Sequence, residues 1–472
     1  MTQINWMKEV EQRKEALIHD LQSLIRIKSV RNDVDQTPEA PLGKNVKAAL
    51  DYMLQLGEKD GFTSKNVGNV AGHLEFGAGE DIVGILCHVD VVPEGDGWSV
   101  DPFSGEIIDG KIFGRGSLDD KGPTMAAYYA MKIVKELGLP LNKRVRMIIG
   151  TDEESDWQCV DHYFKQEEMP TVGFAPDGDF PIIHAEKGIV DYDLVHKARK
   201  YDPSQAMIRV VSFDSGRRYN MVPDYAKAMI VVNECQTEFV QRFEDLFHNH
   251  GLKGRYHIDN GHLVLELEGV SAHGMEPRNG RNAGLFLADF LSKLPIDEAA
   301  RPFFSFISHY LHEDSRGRKL QLAYEDEISG DLTMNIGKLS YSEKEGGRIG
   351  VNMRYPVTYK LAEHKEALEL LLQDQGFVIE NFSDSPPHYV DKNDEFIQIL
   401  SKVYEEQTGE KAELLAIGGG TYARSLEKGV AFGALFPGRA DVMHQKDEHM
   451  FIEDLFKATA IYAQAIYELT QE

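Results

Sequence analysis

His88 and Asp90 stand two residues apart at the end of an apolar run, Ile82 to Cys87. In a strand they would share one face, at the end where open α/β sheets place their binding crevice. Acids recur at comparable places. Asp119 and Asp120 lie in "GRGSLDDKG" (114–122), and Asp152, Glu153 and Glu154 lie in "GTDEES" (150–155). Asp177 lies in "FAPDGDF" (174–180), and His444 opens "HQKDEH" after a glycine-containing segment. Singly, each has an ordinary explanation: a hydrogen-bonded core histidine, a helix cap, a turn, a polar loop. Together, two imidazoles and several carboxylates suit zinc, or cobalt and manganese in its place. His88, Asp119, Glu154, Asp177 and His444 could hold two ions if one carboxylate bridges. Two divalent cations and three carboxylates leave one positive charge, which a hydroxide neutralises. Asp90 would orient the imidazole of His88 from behind.

Those residues need strand ends and loops to carry them. Residues 6 to 27 and 43 to 59 have helical apolar spacing, and 82 to 92 reads as a strand. "LDDKGPTMAAYYAMKIVKELG" predicts a helix ending at Gly138, and "RVRMIIGT" (144–151) another strand. Strands alternating with helices predict a doubly wound, mostly parallel α/β domain. The middle of the chain alternates in the manner of half-exposed antiparallel strands, as in "YAKAMIVVN" and "GRIGVNMRYPV", with helices between. The predicted organisation is a catalytic domain of residues 1–186 and 386–472, interrupted by an α+β lid of residues 187–385.

"HVDVVP", "GRGSLDDKG", "TDEES", "PDG" and "MHQKDEH", in this order, resemble the dinuclear zinc aminoacylase, carboxypeptidase and dipeptidase family. Within it the chain looks most like the bacterial PepV-type dipeptidases, relatives of the carnosinases. The resemblance implies His88 and Asp177 on one zinc, Glu154 and His444 on the other, and Asp119 bridging, with a cis peptide bond after it. It implies Glu153 as general base and Asp90 as the residue orienting the histidine. A hydroxide bridging the metals would attack the peptide carbonyl, and Glu153 would pass the proton to the leaving amine. "GVSAHGMEP" (269–277) matches the element whose histidine, here His273, hydrogen-bonds the oxyanion. "RYNMVPD" brings Asn220 to substrate, and "VNMRYP" brings Arg354 to a peptide carboxylate. "AIGGGTYAR" (416–424) matches the loop that offers Gly419, Gly420 and Thr421 to that carboxylate. The expected activity is hydrolysis of unblocked dipeptides. The alternative is an amino-acid deacylase acting on acetylornithine or succinyl-diaminopimelate.

Many relatives have a lid half as long and dimerise through it. The 187–385 segment has room for two modules of about 100 residues, so a monomer is expected. The chain has 472 residues and a net charge of −26, which disfavours nucleic acid as a partner. Its three cysteines, Cys87, Cys159 and Cys235, are an odd number at long spacing, which fits a reducing cytoplasm. The N-terminal stretch is too charged for a signal peptide, and no apolar run reaches the ~18 residues of a membrane span. Cys87 should face away from His88, and His449 is expected as a helix cap or surface group.

Overall fold

The strand Ile82–His88 is buried along its whole length. It pairs in parallel with Arg144–Gly150 on one side and Val172–Ala175 on the other. Gly429–Ala431 extends the parallel set beyond Val172–Ala175. Ala71–Gly77 and Thr63–Val67 add antiparallel strands on one side. On the other, Ile182–Glu186 pairs antiparallel with Gly429–Ala431 and is itself paired with His388–Tyr389 and Leu414–Ile417. The computed structural model describes residues 4–198, 201–202, 206–232 and 236–471. Cys235 lies outside the described residues.

Helix Lys121–Glu136 packs against the strand Ile82–His88 and against the last helix, Ile452–Leu469. Its residues 121–131 are all buried, as the sandwiched position demands. Each fully buried side chain such as Ile85 or Met131 contributes about 1.5–3 kcal/mol. The strand ends are thus held by a rigid layer rather than by loops. The long helix read over residues 6 to 27 is broken into Trp6–Glu11 and Lys14–Ile25. At the break the Arg13 guanidinium donates to the Glu9 carbonyl. The strand read over 82 to 92 ends at His88, and Val91 makes only an isolated bridge to Val30.

The chain divides into two units. One comprises the residues up to Ala185, Tyr389–Ala416 and those from Gly420 onward; the other comprises Glu186–His388 and Ile417–Gly419. The glycine-rich segment is therefore divided between them.

The second unit is built on one eight-stranded sheet. Lys253–Asp259, His262–Glu268, Tyr225–Val232 and Ile208–Ser215 form one half. Thr333–Ser342, Gly346–Tyr355, Gly188–Lys197 and Val378–Ser385 form the other. Every pairing is antiparallel, and the halves join where Ser212–Ser215 meets Leu339–Ser342. The two modules allowed for by the length of this segment are thus halves of a single sheet over one core.

Candidate metal centre

His88 closes its strand and is fully buried. Its Nδ1 lies 3.1 Å from the Asp90 carbonyl oxygen. A carbonyl can only accept, so Nδ1 carries a ring hydrogen and Nε2 is the nitrogen left to face a cation. Nε2 lies 3.1 Å from Asp119 Oδ1 and 3.9 Å from Asp177 Oδ2. The Asp90 carboxylate reaches in two directions. It lies 3.4 Å from His88 Nδ1, and it accepts the backbone N–H groups of Glu153 (3.2 Å) and Glu154 (3.1 Å).

Asp119 precedes helix Lys121–Glu136, and the Asp119–Asp120 peptide bond is cis, as the family resemblance implies. Neither aspartate makes a side-chain cap. Asp120 occupies the N-cap position, yet its Oδ2 accepts from the His88 N–H (3.2 Å) and the Thr124 hydroxyl (3.0 Å). In "DEES" the capping work falls to Asp152, whose Oδ2 accepts from the Gln158 N–H. That leaves Glu153 and Glu154 for other partners.

The second imidazole arrives from far along the chain. His444 Nε2 lies 2.9 Å from Asp119 Oδ2 and 3.0 Å from Glu154 Oε1. Two groups result: His88, Glu153 and Asp177, and Asp119, Glu154 and His444, each with ligand atoms within 4.8 Å of one another. Two ligands on one ion, each at about 2.0–2.2 Å, stand roughly 3–4 Å apart. The separations fit, and imidazole with carboxylate is the donor set zinc takes. A cleft of about 400 Å³ opens beside Asp90 and Glu154, with Arg31, Asp33, Pro93 and Asp156 on its walls. A larger one of about 910 Å³, walled by Tyr404, Lys411 and Arg439, contains none of these candidates.

Crowded carboxylates ionise with difficulty, and the shifts record it. Burial, with the Asp119 charge, raises the Asp177 pKa to about 7. Burial and the Asp177 charge hold Glu153 well above its ordinary value, and burial and Asp119 raise Glu154. Hydrogen bonds to Asp119 and Glu154 lift His444 to about 11. Burial disfavours the charged form of His88, but bonds to Asp119 and Asp90 overcome it and raise its pKa. Burial likewise opposes ionisation of Asp119, but the two imidazoles overcome it and hold its pKa down. Such a cluster demands positive charge, and in metal-free protein protons supply it.

The second unit carries His273, Asn220, Arg354 and Gly419. His273 Nδ1 accepts from the Met275 N–H at 3.2 Å, so Nε2 carries the ring hydrogen. Burial and the nearby Arg354 charge lower its pKa, which keeps the ring neutral. The Asn220 carbonyl accepts from the Gly274 N–H at 2.7 Å, and Met221 bridges to His273, so Asn220 and His273 are neighbours. Arg354 is buried, with Nε on Asn352 Oδ1 at 3.2 Å and Nη1 on the Gly418 carbonyl at 2.5 Å. Gly419 follows in the same unit. Gly420 and Thr421 belong to the first, where the Thr421 hydroxyl caps Ala423.

Tyr422 was invisible from sequence. Its ring meets His88 edge-on at 5.9 Å, its backbone N–H bonds Asp177, and its hydroxyl pairs with Cys159 Sγ at 3.0 Å. No local pattern marks it, because its partners lie far away in the chain. Cys87 and Cys159 are free and buried. His449 is not a helix cap: it lies on the short strand His449–Phe451, its ring 5.0 Å from Phe113.

Acids and imidazoles gathered at the strand ends of a mixed α/β unit point to a metal-dependent hydrolase. The chain belongs to the peptidase family M20/M25/M40, whose model matches residues 84–468. It is 53% identical over 470 residues to "Putative dipeptidase YtjP" of Bacillus subtilis (strain 168), covering 99% of this chain and 100% of that one. It is 48% identical over 467 residues to SH1171 of Staphylococcus haemolyticus (strain JCSC1435), described in the same words, with 99% and 100% covered. Among solved structures the fold is similar to human carnosine dipeptidase 1 (TM-score 0.56, 14% identity, 99% and 98% covered). It is also similar to aminoacylhistidine dipeptidase from Vibrio alginolyticus (TM-score 0.57, 14% identity, 96% of each covered). No helix among the described residues is long and apolar enough to cross a membrane.

Proposed function

We propose that the protein is a dinuclear zinc dipeptidase that hydrolyses unblocked dipeptides, acting as a monomer in the cytoplasm. The observation that carries this reading is the division of Asp119 between two imidazoles, Oδ1 toward His88 and Oδ2 toward His444. Names of relatives more than 45% identical over nearly the whole chain support the substrate class. In this reading His88 and Asp177 hold one cation, Glu154 and His444 the other, and Asp119 joins them; cobalt or manganese fits the same donors.

Two cations held there would acidify a water and polarise the scissile carbonyl. Glu153 takes the proton of the attacking water and delivers it to the departing amine. Burial raises its pKa, which favours holding the proton between the two transfers. Asp90 fixes both ends of the arrangement, holding His88 and the Glu153 and Glu154 amides. His273, with hydrogen on Nε2, is assigned to the oxyanion. Arg354 is assigned to the peptide carboxylate, with Asn220, Gly419, Gly420 and Thr421 around it.

The test is a choice of substrates. The zinc and cobalt forms are incubated with Ala-His, acetylornithine and succinyl-diaminopimelate. Hydrolysis of Ala-His alone is expected, and preferential release of acetate or succinate would replace this reading by deacylation. Size-exclusion chromatography should give the mass of one chain.

A further inference from the structure

Glu448 is fully buried, and its partners lie on a loop more than three hundred residues upstream. One oxygen, Oε1, accepts three backbone N–H groups: Gly116 at 3.0 Å, Leu118 at 2.9 Å and Asp119 at 3.1 Å. The other, Oε2, pairs with Arg115 Nη1 at 2.5 Å. Its backbone carbonyl takes a fifth donor, the Gly114 N–H, at 2.9 Å. Arg115, itself buried, also reaches the carbonyls of Pro93 (3.4 Å) and Glu94 (3.2 Å) beyond the His88 loop.

A carboxylate out of water must be satisfied by donors, and a turn whose amides point inward must find an acceptor. Here each solves the other's problem, and charge-assisted bonds are about twice as strong as neutral ones. The bonds run between the loop that ends in Asp119 and the segment that carries His444. These residues also approach each other, Asp119 Oδ2 and His444 Nε2 being 2.9 Å apart. His88 and Asp177, by contrast, follow strands of the central sheet.

We infer that Glu448 is a positioning residue: by gathering the amides of the 114–119 loop it brings Asp119 to His444 and so preforms the cation site that these two share with Glu154. The inference rests on the two-cation reading above. Glu448 touches neither substrate nor metal in this scheme. It acts through Asp119.

Glu448→Gln is close in shape but offers a neutral oxygen to the amides and an N–H to Arg115. The metal-free protein is titrated with Co²⁺, followed by calorimetry and by the visible spectrum, for the wild type, Glu448→Gln and His444→Ala. Wild type should bind two equivalents, and His444→Ala identifies the one that depends on His444. In Glu448→Gln that same equivalent should bind at least about tenfold more weakly, while the other changes less. Millimolar Co²⁺ should restore the variant's kcat. Wild type binding fewer than two equivalents would overturn the two-cation reading and this inference together. Two normal equivalents in the wild type, with both unchanged or both equally weakened in Glu448→Gln, would overturn this inference alone.

Discussion

His88 and His444 meet across one carboxylate: the two oxygens of Asp119 stand 3.1 Å and 2.9 Å from their respective Nε2 atoms. One histidine closes a buried strand of the central sheet, and the other lies in an exposed loop. The candidate chemistry is concentrated around that junction.

Glu153 lies close enough to His88 and Asp177 to be a ligand, yet we assign it as the base. Glu153→Ala should retain two equivalents of zinc by elemental analysis and lose at least about a hundredfold in kcat. Loss of one equivalent would make it a ligand instead.

Metal binding should displace protons. In metal-free protein Asp177 ionises near pH 7 against an ordinary 3.8, so the native state holds a proton there that the unfolded chain has released. His444 keeps its proton to about pH 11 against an ordinary 6.5, so the same holds over the higher range. Where the native state binds more protons, stability falls as pH rises. The metal-free protein should lose stability from Asp177 between about pH 4 and 7, and from His444 between about 6.5 and 11. Cations compete with these protons, so the rise in Tm on adding zinc should widen from pH 6 to pH 9. A gap independent of pH in thermal melts would contradict this.

Arg354 is held by Asn352 and the Gly418 carbonyl, which fixes the plane of its guanidinium. Arg354→Lys keeps the charge and loses the fork. KM for a dipeptide should rise about tenfold with a smaller effect on kcat. A normal KM would remove Arg354 from the carboxylate contact.

His273→Ala should lower kcat by roughly 100- to 1000-fold, the usual effect of removing an oxyanion donor, and leave metal content intact. His273→Gln, which restores an N–H, should recover part of the loss. Equal activity of the Ala variant and the wild type would rule the role out.

Much of the scaffold could be read from the chain. Ile82–Cys87 is apolar throughout because both faces are covered, and helix Lys121–Glu136 announces itself by its small and apolar residues. What escaped was long-range. Nothing local distinguishes Asp152, which caps a helix, from Glu153 and Glu154 beside it; the difference arises because Asp90 takes the amides of the last two. Glu448 reads as one more acid in a polar run, since the amides it serves lie on a distant loop. The break between Trp6–Glu11 and Lys14–Ile25 leaves the apolar spacing on either side intact, so periodicity runs straight through it.

The strand Gly429–Ala431 lies inside the central sheet, between Val172–Ala175 and Ile182–Glu186. During synthesis those two neighbours leave the ribosome long before the segment that separates them. Until it arrives they present unpaired strand edges, and the loop bearing His444 has not been made. The nascent polypeptide is therefore exposed to mispairing at that gap, and the site gains its second imidazole only after the strand that fills the gap has been made.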